Sequence, residues 1–244
     1  PGGRREKEVI MNLAQMVERL RQDNDFCRNL TSWKHLPSRP ARYADFPPQT
    51  DPRLADGLTK RGVHHLYTHQ REAVDAVLAG EHVCVVTPTA SGKTLCYNFP
   101  ILNRLLVQPN ARALFLFPTK ALGQDQVQEL TETIDTLAVR IGAYTFDGDT
   151  PSSARKAVRD AGHIVVTNPD MLHTGILPHH TIWIKLFENL EFVVIDEIHH
   201  YRGVFGSHLA NVIRRLKRIC RFYGSQPQFI CCSATIANPK EMAE

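Results

Sequence analysis

Two groups of side chains in this 244-residue chain have types and spacing that suit phosphate chemistry. The first is Gly92-Lys93-Thr94, which follows an apolar run at 82–86 and precedes the helix-forming segment LCYNFPIL. Glycine lets the backbone approach phosphates closely, lysine supplies a cation to the β- and γ-phosphate oxygens, and a threonine hydroxyl suits Mg²⁺. A strand before and a helix after such a turn direct backbone N–H groups toward a polyphosphate. We therefore predict a phosphate loop that binds ATP with Mg²⁺.

The predicted loop departs from the strict glycine-rich pattern at one place, because Thr87 stands where the first glycine is expected. A Gly-Lys-Thr turn that opens a helix by chance is the alternative for this stretch alone. We assign the following residues to nucleotide binding: Thr87, Pro88, Thr89, Ala90, Ser91, Gly92, Lys93 and Thr94.

The second group is Asp196-Glu197, which directly follows the apolar run 192–195. A phosphate-loop enzyme needs one carboxylate on the Mg²⁺ side and another that orients the attacking water. We predict that Asp196 and Thr94 hold the metal and that Glu197 is the base. Taken alone, an Asp-Glu pair after a strand is more often a solvated pair that caps the next helix. A phosphate loop about a hundred residues earlier favours the catalytic interpretation.

The elements that must position these groups are short apolar runs alternating with helical segments. Strands are predicted at 82–86, 113–117, 163–167, 192–195 and 229–232, and helices at 94–107, 119–138, 152–160 and 207–223. Runs that are apolar on both faces are typical of parallel strands covered by helices on each side. The pattern predicts an α/β fold with a mostly parallel, doubly wound sheet. In it, Lys93 and the acids at 196–197 converge from neighbouring strands on one triphosphate.

The chain divides into residues 1–50, with a helix at 4–22 and a proline-rich extended arm at 33–52, and an α/β domain at 51–244. A net charge of +4 permits a polyanionic partner without arguing for one. The six cysteines form no CxxC pair, and we expect buried, reduced thiols in an intracellular protein. The compartment would be the cytoplasm and nucleoid of a bacterium or the nucleus of a eukaryote. No apolar run reaches the roughly 18 residues of a membrane span. The histidine pairs His64-His65, His179-His180 and His199-His200 lack the HExxH spacing of a metal site, and adjacent side chains diverge on a helix or a strand.

Further motifs resemble the first RecA-like motor domain of superfamily 2 helicases. The acids continue as Asp196-Glu-Ile-His199, a DEIH box, and Ser233-Ala-Thr235 follows the run 229–232. The resemblance implies that His199, Ser233 and Thr235 couple the state of the bound nucleotide to the binding of the nucleic-acid strand. It also implies that Gln70 hydrogen-bonds the edge of the adenine and that Tyr67 stacks on the adenine ring. The alternative for Tyr67 is a core aromatic at the start of a helix. Three loops of the chain imply contacts with nucleic acid. Pro118, Thr119 and Lys120 resemble motif Ia, Asp147 and Gly148 lie in a loop that resembles the next strand end, and Thr167, Asn168, Pro169 and Asp170 resemble motif Ib.

Within the superfamily, the segments LYTHQREAV, TPTASGKTLCYNFPIL and DEIHHYRGVFGSHLANVIRRLKRI resemble RecQ-like, MrfA-type and Hrq-type DNA repair helicases. This resemblance implies a 3′-to-5′ translocase on single-stranded or overhang DNA that works with a second RecA-like domain. An RNA helicase motor, or a P-loop ATPase of another class that does not translocate, stays open. The second motor domain, its arginine finger and a zinc domain do not follow in this chain, so we expect little turnover from it alone.

One basic stretch, Arg214-Arg-Leu-Lys-Arg218 with Arg221, lies on the predicted helix at 207–223. It is a candidate nucleic-acid patch. A solvated helix face is the interpretation that the pattern favours, and Lys120 is the better candidate for a phosphate contact.

Overall fold

The computed structural model describes residues 12–34, 37, 40–88, 90–235 and 238. The described residues fall into two compact units, one up to Ala41 and one from Arg42. In the first unit, helix α1 spans Leu13–Gln22 and α2 spans Asn24–Arg28. Asn12 caps α1, because its side-chain oxygen accepts the backbone N–H of Gln15 at 2.9 Å. The predicted helix at 4–22 is confirmed from Leu13 onward, and its first residues lie outside the described part.

The second unit contains a six-stranded sheet and a separate two-stranded antiparallel ribbon. The ribbon strands are β1 (Tyr43–Ala44) and β2 (Leu66–Tyr67). The sheet strands are β3 (Val83–Val86), β4 (Arg112–Leu116), β5 (Ala143–Thr145), β6 (Ile164–Thr167), β7 (Leu190–Ile195) and β8 (Gln228–Ser233). Their order is β3-β8-β7-β4-β6-β5, and every pair is parallel. The doubly wound parallel sheet predicted from the sequence is confirmed.

Helices cover both faces of the sheet. They are α3 (Pro52–Lys60), α4 (Thr68–Leu78), α5 (Lys93–Val107), α6 (Lys120–Thr136), α7 (Ser152–Ala161), α8 (Pro169–Met171), α9 (Ile184–Glu188) and α10 (Gly203–Tyr223). Between α8 and α9 the chain forms one π turn, Leu172–Ile176, and a 3₁₀ segment, Leu177–Ile182, and a short 3₁₀ turn spans Ile198–His200.

Alternate residues of each strand enter two separate cores. In β4, Ala113 and Phe115 pack with the helices α3 to α6, while Leu114 and Leu116 pack with α9 and α10. Both layers therefore fix the strand that leads to the predicted nucleic-acid loops. All six cysteines are free; four are buried as expected, Cys84 is half-buried, and Cys27 is exposed. Among the described residues, no helix is long and apolar enough to cross a membrane.

The sequence patterns missed two features of this unit. β5 is only three residues long and its residues are partly exposed, so it has no continuous apolar run. β1 lies in the proline-rich segment and pairs with β2, which places Tyr43 opposite Tyr67. The two strands of this ribbon are each two residues long, which is too short for an alternation pattern.

Candidate nucleotide and nucleic-acid site

The phosphate loop connects β3 to α5, and its last residue before the helix is in a left-handed conformation. Gly92 has φ +76°, and a Cβ added there would lie 2.6 Å from Nε2 of Gln70. Only glycine meets both conditions without strain. No side chain caps the start of α5 within the described part of the chain. The first backbone N–H groups of this helix are therefore left for an anionic ligand.

Lys93 lies at the first turn of α5 and folds back over the loop. Its Nζ donates to the carbonyl oxygens of Thr87 at 3.2 Å and of Pro88 at 3.4 Å. The hydroxyls of Thr87 and Ser91 are hydrogen-bonded across the same loop at 2.5 Å. Thr87 thus closes the loop with a hydrogen bond at the position where the strict pattern has glycine. Thr89 lies outside the described residues, so its assignment stays a prediction.

Asp196 follows β7 and is 7% exposed. One carboxylate oxygen accepts the hydroxyl of Tyr97 at 3.0 Å, and the other accepts the backbone N–H of Glu197 at 2.8 Å. Burial raises the pKa of Asp196, and these two hydrogen bonds and the charge of Lys93 oppose the increase. A carboxylate held this way keeps oxygen lone pairs available for a hard cation.

The structure brings the phosphate loop and the two acids into one cavity of about 280 Å³. Its wall includes Ala90, Ser91, Gly92, Lys93, Thr94, Phe117, Leu122, Gln126, Asp196 and Glu197. The convergence expected from the sequence is present, but not from neighbouring strands. β8 lies between β3 and β7, so it separates the loop strand from the acid strand and brings Ser233 to the same edge.

Glu197 has φ +50°, a left-handed conformation that non-glycine residues adopt uncommonly. Its Oε2 lies 3.1 Å from Nδ1 of His199, and that nitrogen also lies 3.3 Å from the backbone N of Ala234. One nitrogen serves only one of them: it accepts the Ala234 N–H when unprotonated and donates to Glu197 when protonated. Burial lowers the pKa of His199, so we assign the neutral form with the bond to Ala234.

The neutral form of His199 leaves a carboxylate oxygen of Glu197 buried and without a hydrogen-bond donor among the described residues. This orphaned oxygen belongs to a residue of the cavity wall. A buried acceptor without a donor is costly unless a ligand or water supplies one. Ser233 Oγ is also buried and has no partner in the described part of the chain, while Thr235 is exposed. The His199 ring contacts the backbone N–H of Ala234 and neither the Ser233 nor the Thr235 hydroxyl.

The predicted adenine segment lies beside the loop. Gln70 is buried; its Oε1 accepts the N–H of Tyr67 at 2.8 Å and its Nε2 donates to the carbonyl of Gly92 at 2.9 Å. Gln70 therefore ties this segment to the phosphate loop. Tyr67 is 38% exposed and stacks with Tyr43 and His69 at centroid distances of 5.3 and 5.8 Å, so the core-aromatic alternative is wrong. The base-binding roles of Gln70 and Tyr67 stay predictions.

The predicted nucleic-acid loops follow the neighbouring strands β4, β6 and β5. Lys120 begins α6 after Pro118 and Thr119, and its exposed Nζ pairs with Asp149 at 2.8 Å. A Cβ at Gly148 would lie 3.5 Å from that nitrogen. The three loops therefore lie side by side at the carboxyl edge of the sheet, which gives a continuous surface on which a nucleic-acid strand could bind.

Several side chains of the same loops hold the loops themselves. The buried Thr167 hydroxyl donates to the carbonyl of Phe146 at 2.6 Å, and the buried Asp147 accepts the N–H of Asp149 at 2.9 Å. Asn168 caps the short helix that Pro169 begins, and the Asp170 carboxylate lies 3.4 Å from Nε2 of His208. Their contacts with nucleic acid stay predictions.

Sequence reasoning missed Tyr97, although a signal was present. It lies four residues after Lys93 on α5, so both project on the same side of the helix. Its hydroxyl lies 3.0 Å from Asp196 and 3.2 Å from Oε1 of Gln126. Tyr97 therefore positions the acid that we assign to the metal.

Comparison with known proteins decides the family. Residues 67–242 match the family model described as DEAD/DEAH box helicase. This chain belongs to the DEAD/DEAH box helicase family. The match begins at Tyr67 and includes the phosphate loop, the acid pair and the Ser-Ala-Thr motif.

Its relatives confirm the resemblance inferred from the sequence. The chain is 60% identical over 216 residues to an uncharacterized ATP-dependent helicase, YprA, of Bacillus subtilis, covering 88% of this chain and 29% of the relative. It is 38% identical to the ATP-dependent helicase HRQ1 of Saccharomyces cerevisiae over 95% of this chain and 22% of the relative. This DEAD/DEAH box domain thus spans under a third of the length of these relatives.

A solved structure described as the DUF1998 helicase MrfA bound to DNA and AMPPNP matches with a TM-score of 0.89 and 56% identity, over 96% of this chain and 32% of that chain. The DEAD-box helicase Mss116, at 19% identity and a TM-score of 0.67 over 80% of this chain and 41% of that chain, shares the fold. The RecA-like fold is therefore established for this chain.

Proposed function

We propose that this chain is the ATP-binding motor domain of a helicase that couples ATP hydrolysis to 3′-to-5′ movement along single-stranded DNA in DNA repair. The observation that carries the proposal is the shared cavity of Lys93, Thr94, Asp196 and Glu197 at the carboxyl ends of the strands. The loops after β4, β6 and β5 lie along the same edge. The match to a helicase structure described as bound to DNA and AMPPNP supports DNA as the strand.

The residues of the cavity suit ATP. The N–H groups at the start of α5 and the Lys93 ammonium would bind the phosphate oxygens. The Thr94 hydroxyl and the Asp196 carboxylate are hard oxygen ligands, and they would hold Mg²⁺, which supplies positive charge beside the phosphates. Glu197, with its unbonded buried oxygen, orients a water molecule and takes its proton.

His199 connects this chemistry to the strand-binding edge. Its Nδ1 lies within hydrogen-bond distance of both the Glu197 carboxylate and the backbone N–H of Ala234, and it bonds to one of them at a time. A change in charge beside Glu197 shifts the balance between these two contacts and thus moves the segment of Ser233 and Thr235. We propose that this change of hydrogen-bond partner at His199 couples the state of the bound nucleotide to the binding of the nucleic-acid strand.

We further propose that a second RecA-like domain of the intact protein closes on this cavity. A helicase of this family binds ATP between two such domains, and a residue supplied from the second stabilises the transferring phosphoryl group. An arginine supplied in this way accelerates hydrolysis by roughly 10³- to 10⁵-fold in other phosphoryl-transfer enzymes. The free cysteines agree with an intracellular location, in the cytoplasm and nucleoid of a bacterium or the nucleus of a eukaryote.

The proposal is tested with the intact protein on DNA and RNA. ATP hydrolysis is measured without nucleic acid, with single-stranded DNA and with single-stranded RNA, and unwinding is measured on duplexes with a 3′ or a 5′ overhang. We expect stimulation by DNA and unwinding from the 3′ overhang alone, both lost in Glu197→Gln. Stimulation by RNA alone identifies an RNA helicase, and hydrolysis indifferent to both identifies another P-loop ATPase; either outcome overturns the proposal.

A further inference from the structure

Helix α10 carries a row of cations and no acidic residue. Its 21 residues include five Lys or Arg and neither Asp nor Glu. The cations are Arg214, Arg215, Lys217, Arg218 and Arg221. Several of them stand three or four residues apart, and Arg214, Arg218 and Arg221 are exposed on the face opposite the buried Leu209, Val212, Leu216 and Cys220. Like charges at this spacing repel one another along a helix.

The structure does not relieve this repulsion with carboxylates. In the described part of the chain none of the five forms an ion pair, whereas Arg71 pairs with Asp75 and Arg104 with Glu191. Arg214 instead contacts Asn211, and Lys217 lies 4.9 Å from the ring centroid of Phe229. The helix dipole favours cations only in the last turn. An ordinary solvated face would interleave acids with the cations.

The cations line a groove of about 560 Å³, which we call the α10 groove. His173 and His208 line the end of the groove nearest the start of α10, and no Asp or Glu among the described residues lines it. His208 lies 3.4 Å from the carboxylate of Asp170, in the loop that follows β6. The groove therefore begins beside the predicted strand-binding edge and continues away from it along the helix.

The spacing of the cations suits a phosphate backbone. From Arg214 to Arg221 the helix rises about 10 Å. One strand of duplex DNA carries a phosphate about every 3.4 Å of axis, so the row faces about three phosphates. Within the part of the chain that the structure describes, no Phe, Tyr or Trp lines the groove. Single-strand sites use aromatic stacking on bases, so this lining favours a duplex, whose bases are hidden.

We propose that the α10 groove binds the sugar–phosphate backbone of the duplex that flanks the single strand. The inference rests on the proposed function, since it assumes that a strand occupies the neighbouring edge. The groove contacts phosphates rather than base edges, so it anchors the duplex without sequence preference.

The test compares two DNA probes on the intact protein. Binding of a single strand and of the same strand with a duplex arm is measured by fluorescence anisotropy over a range of salt concentrations. The variant carries Arg214→Gln, Arg218→Gln and Arg221→Gln, three exposed residues. We expect affinity for the tailed duplex to fall roughly tenfold or more at low salt, and the slope of log affinity against log salt to decrease by about 3. Affinity for the single strand and single-strand-stimulated hydrolysis stay unchanged.

A matched control removes three exposed cations elsewhere, by Lys60→Gln, Lys156→Gln and Lys185→Gln. It keeps wild-type binding of the tailed duplex if the groove is specific. An Arg→Lys version of the groove variant retains the charges and most of the salt slope, which separates charge loss from misfolding.

Three outcomes overturn the proposal: unchanged binding of the tailed duplex, an equal loss on both probes, or the same loss in the control. Competition by polyglutamate as strong as by duplex DNA identifies an acidic protein partner and overturns it too. If the wild type shows no strand-stimulated hydrolysis but the duplex-specific loss persists, the motor function fails and the groove stands. If strand-stimulated hydrolysis is present without a duplex-specific loss, the groove fails and the motor function stands.

Discussion

Tyr97→Phe removes the one hydroxyl of this side chain, which lies against Asp196, and leaves the ring in place. The tyrosine is fully buried, and its hydroxyl donates to Asp196 at 3.0 Å. Phenylalanine has nearly the same volume, so the packing against Phe115 is kept. The change therefore removes the hydrogen bond to the buried Asp196 carboxylate together with the 3.2 Å contact to Gln126, and of these two acceptors only Asp196 titrates.

The cost of this change depends on pH. A hydrogen bond to a charged group is worth about 2 kcal/mol and one between neutral groups about 1 kcal/mol. Burial raises the pKa of Asp196 above its ordinary value of 3.8, so the folded state retains a proton that the unfolded state releases. This carboxyl therefore lowers stability as the pH rises from 3.8 to the raised pKa. The Tyr97 bond holds that pKa down, and its loss enlarges the penalty at neutral pH.

Urea unfolding of the chain, followed from pH 8 to the lowest pH at which it stays folded, measures this difference. We expect Tyr97→Phe to lower the free energy of unfolding by about 2 kcal/mol at pH 8, or the melting temperature by about 4–8 °C. The loss should shrink toward about 1 kcal/mol at low pH. A loss that is equal at both ends of the range, or absent at pH 8, would refute the assignment of a charged acceptor.

Three further predictions concern the same cavity. Gly92→Ala should lower ATP affinity at least tenfold and stability by roughly 1–2 kcal/mol, because φ is +76° and the new methyl meets Gln70; calorimetry and urea unfolding check this, and full affinity would contradict it. The gain in ATP affinity that Mg²⁺ brings should vanish on acidification at a pH above the ordinary aspartate value, because the folded pKa of Asp196 is raised; a titration of affinity against pH decides. His199→Ala should leave ATP binding within about threefold and abolish most strand-stimulated hydrolysis, because it removes the imidazole that lies within hydrogen-bond distance of both Glu197 and Ala234; equal hydrolysis in variant and wild type excludes the coupling.

The convergence of the phosphate loop and the acid pair on one cavity could be predicted from sequence because each part is a contiguous segment at the end of an apolar run. The turn at Gly92-Lys93-Thr94 and the pair Asp196-Glu197 need only local spacing and the rule that parallel strands end at one edge. The order of the strands in the sheet, by contrast, could not be predicted from such local patterns. Nothing in the run 229–232 indicates that β8 lies between β3 and β7, because strand order depends on which faces pack together over the whole sheet.

Side-chain partners were the other part that sequence patterns left out. Tyr97 contacts Asp196 across 99 positions of the sequence, and Gln70 holds Gly92 across 22. Such contacts depend on the packing of α4 and α5 against the sheet, not on local periodicity. The buried Asp147 and Thr167 show the same limit, since motif position alone does not distinguish a loop-holding side chain from one that faces a ligand.

ATP affinity with and without Mg²⁺, measured for the intact protein, Lys93→Ala and Asp196→Asn, tests most directly whether both residues act on one triphosphate. We predict that Lys93→Ala weakens ATP binding under both conditions and that Asp196→Asn removes only the gain that Mg²⁺ brings. Wild-type affinity for ATP with Mg²⁺ in both variants would contradict the shared site.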